Sequence, residues 1–158
     1  MDKVITTTLL IIAGVISSIF VFNSFFPIVN RSTEAMTSMS DTIDDRMKSR
    51  INIVHSANEA DRRTVYVWVK NVGDSRILSV KETDVFFGLE SSFSRIPYVD
   101  DAGETYPRWS YTLENDSEWK TNATLKITIV FQSDPGGGTY FAKVVIPNGI
   151  MDQYYFSM

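Results

Sequence analysis

The chain of 158 residues contains no cysteine and a single histidine. The first absence removes disulfides, thiolate nucleophiles and cysteine metal sites together. It leaves the compartment open, because a chain without cysteine suits either side of a membrane. The second means that a zinc site would rest mostly on carboxylates, an unusual ligand set. His55 falls on a strand-like stretch, where a lone histidine is a structural residue, and no serine–histidine–acid set can be argued around it. There is no basic run. Formal net charge is −4 and the charges are spread along the chain, so electrostatics give no reason to expect nucleic acid as a partner. The run Pro135-Gly136-Gly137-Gly138 lacks the Lys-Ser/Thr pair and the following helix that a phosphate loop needs. Strand-like residues follow it, and it reads as a flexible hairpin loop. Asp100-Asp101 with Glu104 offers oxygen ligands for a hard cation such as calcium but lacks the alternating acids of an EF-hand, so it reads as a solvated loop. No internal repeat is present. With no catalytic, cofactor or metal motif, the chain reads as a protein that is not an enzyme.

Apolar residues, by contrast, are plentiful. Hydrophobic side chains make up 44% of the chain and aromatics 13%, which is enough for a core and excludes wholesale disorder. An uncharged apolar run, Val4–Phe22, fills 19 residues just inside the N-terminus. A helix needs about 20 apolar residues to span a hydrocarbon core. A cleaved secretory signal would show a basic start, an apolar centre of about 7–15 residues and a small-x-small cleavage site. Here the start is Met-Asp-Lys, and the run ends in aromatics, so a retained helix is expected. Val4, Leu9, Leu10, Ile11, Ile12, Ile16, Phe20 and Phe22 supply its apolar surface. Thr6, Thr7, Thr8, Ala13, Gly14, Ser17 and Ser18 are small residues set among them. Two readings of these stay open: hydroxyls that satisfy backbone carbonyls in lipid, or small residues that let helices approach closely. Lys3 and the α-amino group on the short side, against Arg31 followed by Glu34, Asp41, Asp44 and Asp45 before Arg46 on the other, favour a cytoplasmic N-terminus.

Beyond residue 29 the composition turns polar, but an apolar stripe persists. Met36, Met39, Ile43, Met47 and Ile51 are spaced 3, 4, 4 and 4 apart, which is helical periodicity. The stripe suits packing onto the chain's own domain or onto a copy of the same helix. The spacing predicts a helix from about Lys3 to Lys48, bent or broken near Pro27, because an interior proline removes a hydrogen bond. The expected organisation is an apolar membrane or assembly helix over residues 1–29, an amphipathic extension over 30–49 and a β domain over 50–158.

After Arg50 the period changes to two. Val65, Val67 and Val69 alternate with Tyr66, Trp68 and Lys70. Leu125, Ile127, Ile129 and Phe131 share one side of a second stretch, and Tyr140, Ala142, Val144 and Ile146 one side of a third. Further strands are expected at Ile51–Ala57, Leu78–Phe87, Ser94–Val99, Trp109–Glu114 and Gln153–Ser157. Turn residues punctuate them at 71–74, 100–103, 115–117, 134–138 and 147–149. Short alternating strands so spaced read as an antiparallel sandwich or barrel. The Val-Lys-Asn-Val-Gly step at 69–73 is common in immunoglobulin-like sandwiches. Tyr66, Trp68, Trp109, Tyr111 and Trp119 are candidate interface aromatics, since such residues dominate binding hot spots; the competing reading places most of them in the core. Asn30, Asn115 and Asn122 head N-x-S/T sequons and are candidate glycosylation sites.

Several stretches, in this order, resemble the archaellum protein G (FlaG) family. The run TTTLLIIAGVISSIFVFNSFFPIV at 6–29 resembles that family's leader, and Asp-Arg-Met-Lys-Ser-Arg-Ile-Asn-Ile-Val-His-Ser at 45–56 its helix-to-strand junction. Val-Tyr-Val-Trp-Val-Lys-Asn-Val-Gly at 65–73, Asp-Val-Phe-Phe-Gly at 84–88 and Arg-Ile-Pro-Tyr at 95–98 resemble its sandwich motifs. The resemblance covers most of the chain. It implies a mainly β protein, with a long N-terminal transmembrane-type α-helix followed by an immunoglobulin-like antiparallel β-sandwich outside the membrane. It implies a place in the stationary part of the archaeal motility machine, beside the related archaellum protein F, which contacts the surface layer. It further implies assembly with like chains through the N-terminal helices, and neither catalytic residues nor cofactor. Two alternatives remain: a filament-forming archaellin or pilin-like subunit, whose leader would normally carry a longer basic prepeptide, and a ligand-binding or enzymatic module on a membrane stalk.

Overall fold

The structure is a computed structural model that describes residues 2–158. The chain forms two compact units, one ending at Ile43 and the other comprising Asp44–Met158. Helix α1 spans Asp2–Lys48 and crosses from the first unit into the second. Most of its hydroxyl residues turn back onto their own backbone. Thr6, Thr7 and Thr8 donate to the carbonyls of Asp2, Lys3 and Val4 at 2.8, 2.8 and 2.9 Å, and Ser18 donates to that of Gly14 at 2.9 Å. These bonds let polar side chains sit in an apolar helix without unsatisfied groups. The expected break at Pro27 does not occur, and the helix runs through it. The missing N–H frees only the Asn23 carbonyl, and the turns on either side hold the helix together. None of the residues of α1 is buried. The exposed set includes Val4, Leu9, Leu10, Ile11, Ile12, Ile16, Phe20 and Phe22, and further along Met36, Met39, Ile43 and Met47.

The second unit is a β-sandwich. Its strands are β1 (Ile51–Asn58), β2 (Thr64–Asn71), β3 (Asp84–Leu89), β4 (Ser92–Ile96), β5 (Arg108–Leu113), β6 (Thr124–Val130), β7 (Thr139–Val145) and β8 (Met151–Ser157). They form two antiparallel four-stranded sheets, ordered β1-β2-β6-β5 and β4-β3-β7-β8. Successive hairpins alternate between the sheets, so the third hairpin adds beside the first and the fourth beside the second. Alternation sets the interior. Val65, Val67 and Val69 of β2, Leu125, Ile127 and Ile129 of β6, Val85 and Phe87 of β3, and Tyr140, Ala142 and Val144 of β7 form one buried cluster.

Three further expectations differ from the structure. The stretch Leu78–Phe87 is not one strand. Ser79 adopts a left-handed backbone (φ 52°), a 3₁₀ turn follows at Val80–Glu82, and pairing begins only at Asp84. A left-handed residue lies outside the β region and interrupts regular strand geometry. The glycine-rich run is not a hairpin loop but a crossing between sheets, because β6 pairs with β2 and β5 while β7 pairs with β3 and β8. Tyr140 fixes this crossing by donating its hydroxyl to the carbonyls of Pro135 (2.8 Å) and Gly136 (3.0 Å). Finally, the expected strand Ser94–Val99 ends at Ile96, and the expected turn at 100–103 is mostly a short helix, α2 (Val99–Ala102), ended by Gly103 at φ 59°.

The Val-Lys-Asn-Val-Gly step closes the start of the sandwich. The carbonyl of Lys48 accepts from the N–H of Asp74 at 2.8 Å, and that of Arg50 from the N–H of Val72 at 2.9 Å and of Gly73 at 3.0 Å. Asn71 is fully buried. Its amide donates to the carbonyls of Ser75 (2.9 Å) and Trp119 (3.1 Å), and its oxygen accepts from the N–H of Gly73 (3.0 Å). Asn148 donates to the Ser49 hydroxyl at 2.7 Å. A Cβ on Gly73 would stand 2.4 Å from both Arg50 N and Lys48 O, backbone atoms that cannot swing aside. Gly73→Ala is therefore expected to destabilise the sandwich by about 1–3 kcal/mol, the usual range for overpacking. Denaturant unfolding of the full chain in detergent checks this, and an unchanged midpoint would mean that the junction is looser than described.

Candidate interaction surfaces

The five aromatics expected at an interface divide by sheet face. Trp109 and Trp119 are core residues, each 1% exposed. The reason is register. Trp109 lies opposite the inward-facing Ile129, and its ring meets Tyr98 edge-on at 4.9 Å. Trp119, in the β5–β6 connection, is held by its own carbonyl, which accepts from the Asn71 amide and from the N–H of Ile77 at 3.0 Å. Tyr111 points inward too, but from an edge strand, and is half-buried.

Tyr66 and Trp68 lie on the outer face of the first sheet. Their ring centroids are 5.9 Å apart, and the Lys126 ammonium sits 4.4 Å from the Tyr66 ring centre and 5.5 Å from that of Trp68. Trp68 donates its Nε1–H to Glu114 at 3.2 Å, and its ring lies 5.4 Å from His55. Tyr66 donates its hydroxyl to Glu59. That bond, then partial desolvation and the carboxylate charge, raise the phenol's pKa above its ordinary value. The polar ends of both aromatics are thus engaged within the chain, and a lysine covers their faces.

The outer face of the second sheet carries an aromatic strip that the five expected residues omit. In register across all four strands lie Phe93 of β4, Gly88 of β3, Phe141 of β7 and Tyr155 of β8. Gly88 has no side chain to separate Phe93 from Phe141, so these rings meet at 4.9 Å, and Phe141 meets Tyr155 at 5.0 Å. Phe141 is buried between neighbours that are 49% and 48% exposed. A Cβ on Gly88 would fall 2.6 Å from the Phe93 Cα. One row over, Arg95 pairs with Asp84, and Lys143 lies 5.9 Å from the Phe86 ring centre. The result is an apolar band with charged groups beside it, the anatomy of a protein-binding patch. The sequence carried a signal for it. The adjacent aromatics Phe86-Phe87, Tyr140-Phe141 and Tyr154-Tyr155-Phe156 must place rings on both faces of a sheet with period two.

Asn30 lies on α1, Asn115 in the β5–β6 connection, and Asn122 in the same connection with a left-handed backbone (φ 69°); all three are exposed. Among the described residues no three histidine or acidic side chains are grouped so as to hold a metal ion. Asp100, one of the acids weighed as a cation ligand, instead pairs with Lys81 at 2.7 Å.

No family model matches the chain. An uncharacterized protein of Archaeoglobus fulgidus is 28% identical over 164 residues, an alignment covering 98% of each chain. Among solved structures, the archaellum periplasmic stator protein FlaG from Sulfolobus acidocaldarius superposes with a TM-score of 0.60 at 23% identity, over 68% of this chain and 99% of that one. A chain of the archaellum periplasmic stator complex of FlaF and FlaG from the same organism superposes with a TM-score of 0.58 at 23% identity, over 67% of this chain and 87% of that one. The fold of this chain is that of the archaellum periplasmic stator protein FlaG.

Proposed function

We propose that this chain is a non-enzymatic, membrane-anchored stator component of an archaellum. Helix α1 crosses the membrane once, the sandwich lies outside the cell, and the sandwich binds a FlaF-like partner and, through it, the surface layer. The observation that carries this reading is the pairing of a FlaG-like sandwich with an N-terminal helix long and apolar enough to cross a membrane. The family resemblance of the leader and sandwich motifs points the same way, and one solved relative belongs to a complex of FlaF with FlaG. The mechanical logic is simple. A stationary part must resist shear, and a sandwich of two hydrogen-bonded sheets over a packed core does so. Copies associate through α1, where Gly14 and the neighbouring hydroxyl residues permit close approach.

The Phe93–Phe141–Tyr155 strip is the partner-binding face in this reading. Aromatic anchors in such patches typically contribute about 2 kcal/mol or more when truncated. Phe93→Glu and Tyr155→Glu are exposed changes, expected to leave the fold intact. Each is expected to weaken binding of the organism's own FlaF-like protein to the full chain in detergent about tenfold or more. Unchanged binding by both folded variants would remove this face as the interface.

One observation favours a second reading, that of a filament subunit packed through its helix. The apolar stripe Met36, Met39, Ile43 and Met47 continues well past the length a membrane crossing needs, and all four side chains are exposed.

A further inference from the structure

The open edge of β5 carries a feature that the stator reading does not use. In the β5–β6 ladder, Glu114 donates to Thr124 across the pair, whereas Trp109 donates outward, to the carbonyl of Pro97 at 3.0 Å. Backbone groups alternate along a strand, so Tyr111 and Leu113 also present their N–H and C=O outward. Neither N–H has an acceptor among the described residues. An edge with free donors and acceptors is a template for another strand. Beside this edge lies a cleft of about 450 Å³, lined by Tyr111 and Leu113 on one side, by Leu78, Val80 and Glu82 on the other, and by Trp119. Leu78 is 62% exposed, although the rest of the unit buries most of its aliphatic side chains. The left-handed residue Ser79 and the 3₁₀ turn after it keep residues 78–82 from pairing with β5, and so keep the cleft open.

Charge narrows the choice of occupant. At the rim Arg76 is paired with Glu118 at 2.8 Å and Lys81 with Asp100 at 2.7 Å. Glu82 has no ion-pair partner among the described residues. The cleft therefore offers apolar walls, unpaired backbone groups and one free carboxylate. That set matches an extended polypeptide with alternating apolar side chains and a flanking cation, and it does not match an anionic small molecule. We propose that the β5 edge is a strand-addition site, occupied by an extended segment of a partner protein that extends the β1-β2-β6-β5 sheet by one strand. The main chain would supply affinity and the Leu78–Val80 wall specificity, as in other strand-addition complexes. The proposal concerns a different part of the sandwich from the aromatic strip and does not depend on the stator reading.

The test is amide hydrogen exchange on the full chain in detergent, with and without a blocked peptide, Lys-Thr-Val-Thr-Val-Thr-Lys. The peptide is expected to slow exchange in the segment containing Tyr111 and Leu113 and to leave β4, the other sheet's edge, unchanged. Leu78→Lys alters an exposed side chain and is expected to weaken the peptide about tenfold or more. Leu113→Pro removes an outward N–H without touching the ladder, a substitution edge strands accept, and is expected to do the same. Absence of protection at millimolar peptide would overturn the proposal. So would protection that survives both variants, or protection that rises with protein concentration alone, which would assign the edge to a second copy of this chain.

Discussion

Trp109→Ala is expected to destabilise the sandwich by about 3–5 kcal/mol, the usual cost of truncating a buried tryptophan. A domain of this kind has only about 5–15 kcal/mol in total. The size of the effect follows from position. Trp109 is 1% exposed, pairs across the ladder with Ile129 and holds Tyr98 edge-on against β5. Removing it leaves a cavity between the sheets at the point where β5 is joined to the segment after β4 by the Tyr98–Trp109 bridge. Trp68→Ala, on the outer face, loses one hydrogen bond, one cation–π contact and the ring contacts with Tyr66 and His55, and should cost less, about 2 kcal/mol. Denaturant unfolding of the two variants in detergent separates the cases. Equal losses would mean that the register of β5 is wrong.

Ile12→Arg is expected to release the chain from membranes. An arginine near the centre of a spanning helix costs about 2.5–3.5 kcal/mol on insertion scales, which is about 60- to 300-fold in partition. The same residue placed at Ser38, in the polar half of α1, should change nothing. Alkaline extraction of membranes from cells expressing each variant reads the difference. If Ile12→Arg stays in the pellet as the parent does, α1 is held by something other than lipid.

Much of the fold was legible because two periods dominate the chain. The spacing of two at 65–69, 125–129 and 140–146 picked out the residues that build the core. The uncharged leader and the Met36–Met47 stripe marked one long helix. The errors have separate causes. Pro27 breaks helices in isolation, yet long helical segments flank it on both sides. The glycine-rich run has hairpin composition, but the strands it joins are claimed by different sheets. Ser79 shows nothing in the sequence of its left-handed backbone.

The binding surfaces were the least legible part. Residue type alone singled out the tryptophans, and register then placed Trp109 and Trp119 inside. The Phe93–Phe141–Tyr155 strip depends on cross-strand alignment over four strands and on Gly88 as a gap between rings. No reading along the chain gives that alignment without knowing which strands are neighbours. Adjacent aromatics along a strand imply outer-face rings but not that those rings meet. The Asn71–Gly73 step is a common sandwich sequence. Its physical content is a buried amide with three hydrogen bonds and a glycine pressed against the Lys48–Arg50 backbone.

The most direct test of the stator reading follows the native protein when cells are sheared. Filaments and envelopes are separated, and the chain is located in each fraction, with its intact mass and N-terminal sequence determined. Retention in the envelope fraction with the leader intact is the predicted result. Recovery as a major component of the sheared filaments, with a trimmed N-terminus, would contradict it and make the chain a filament subunit.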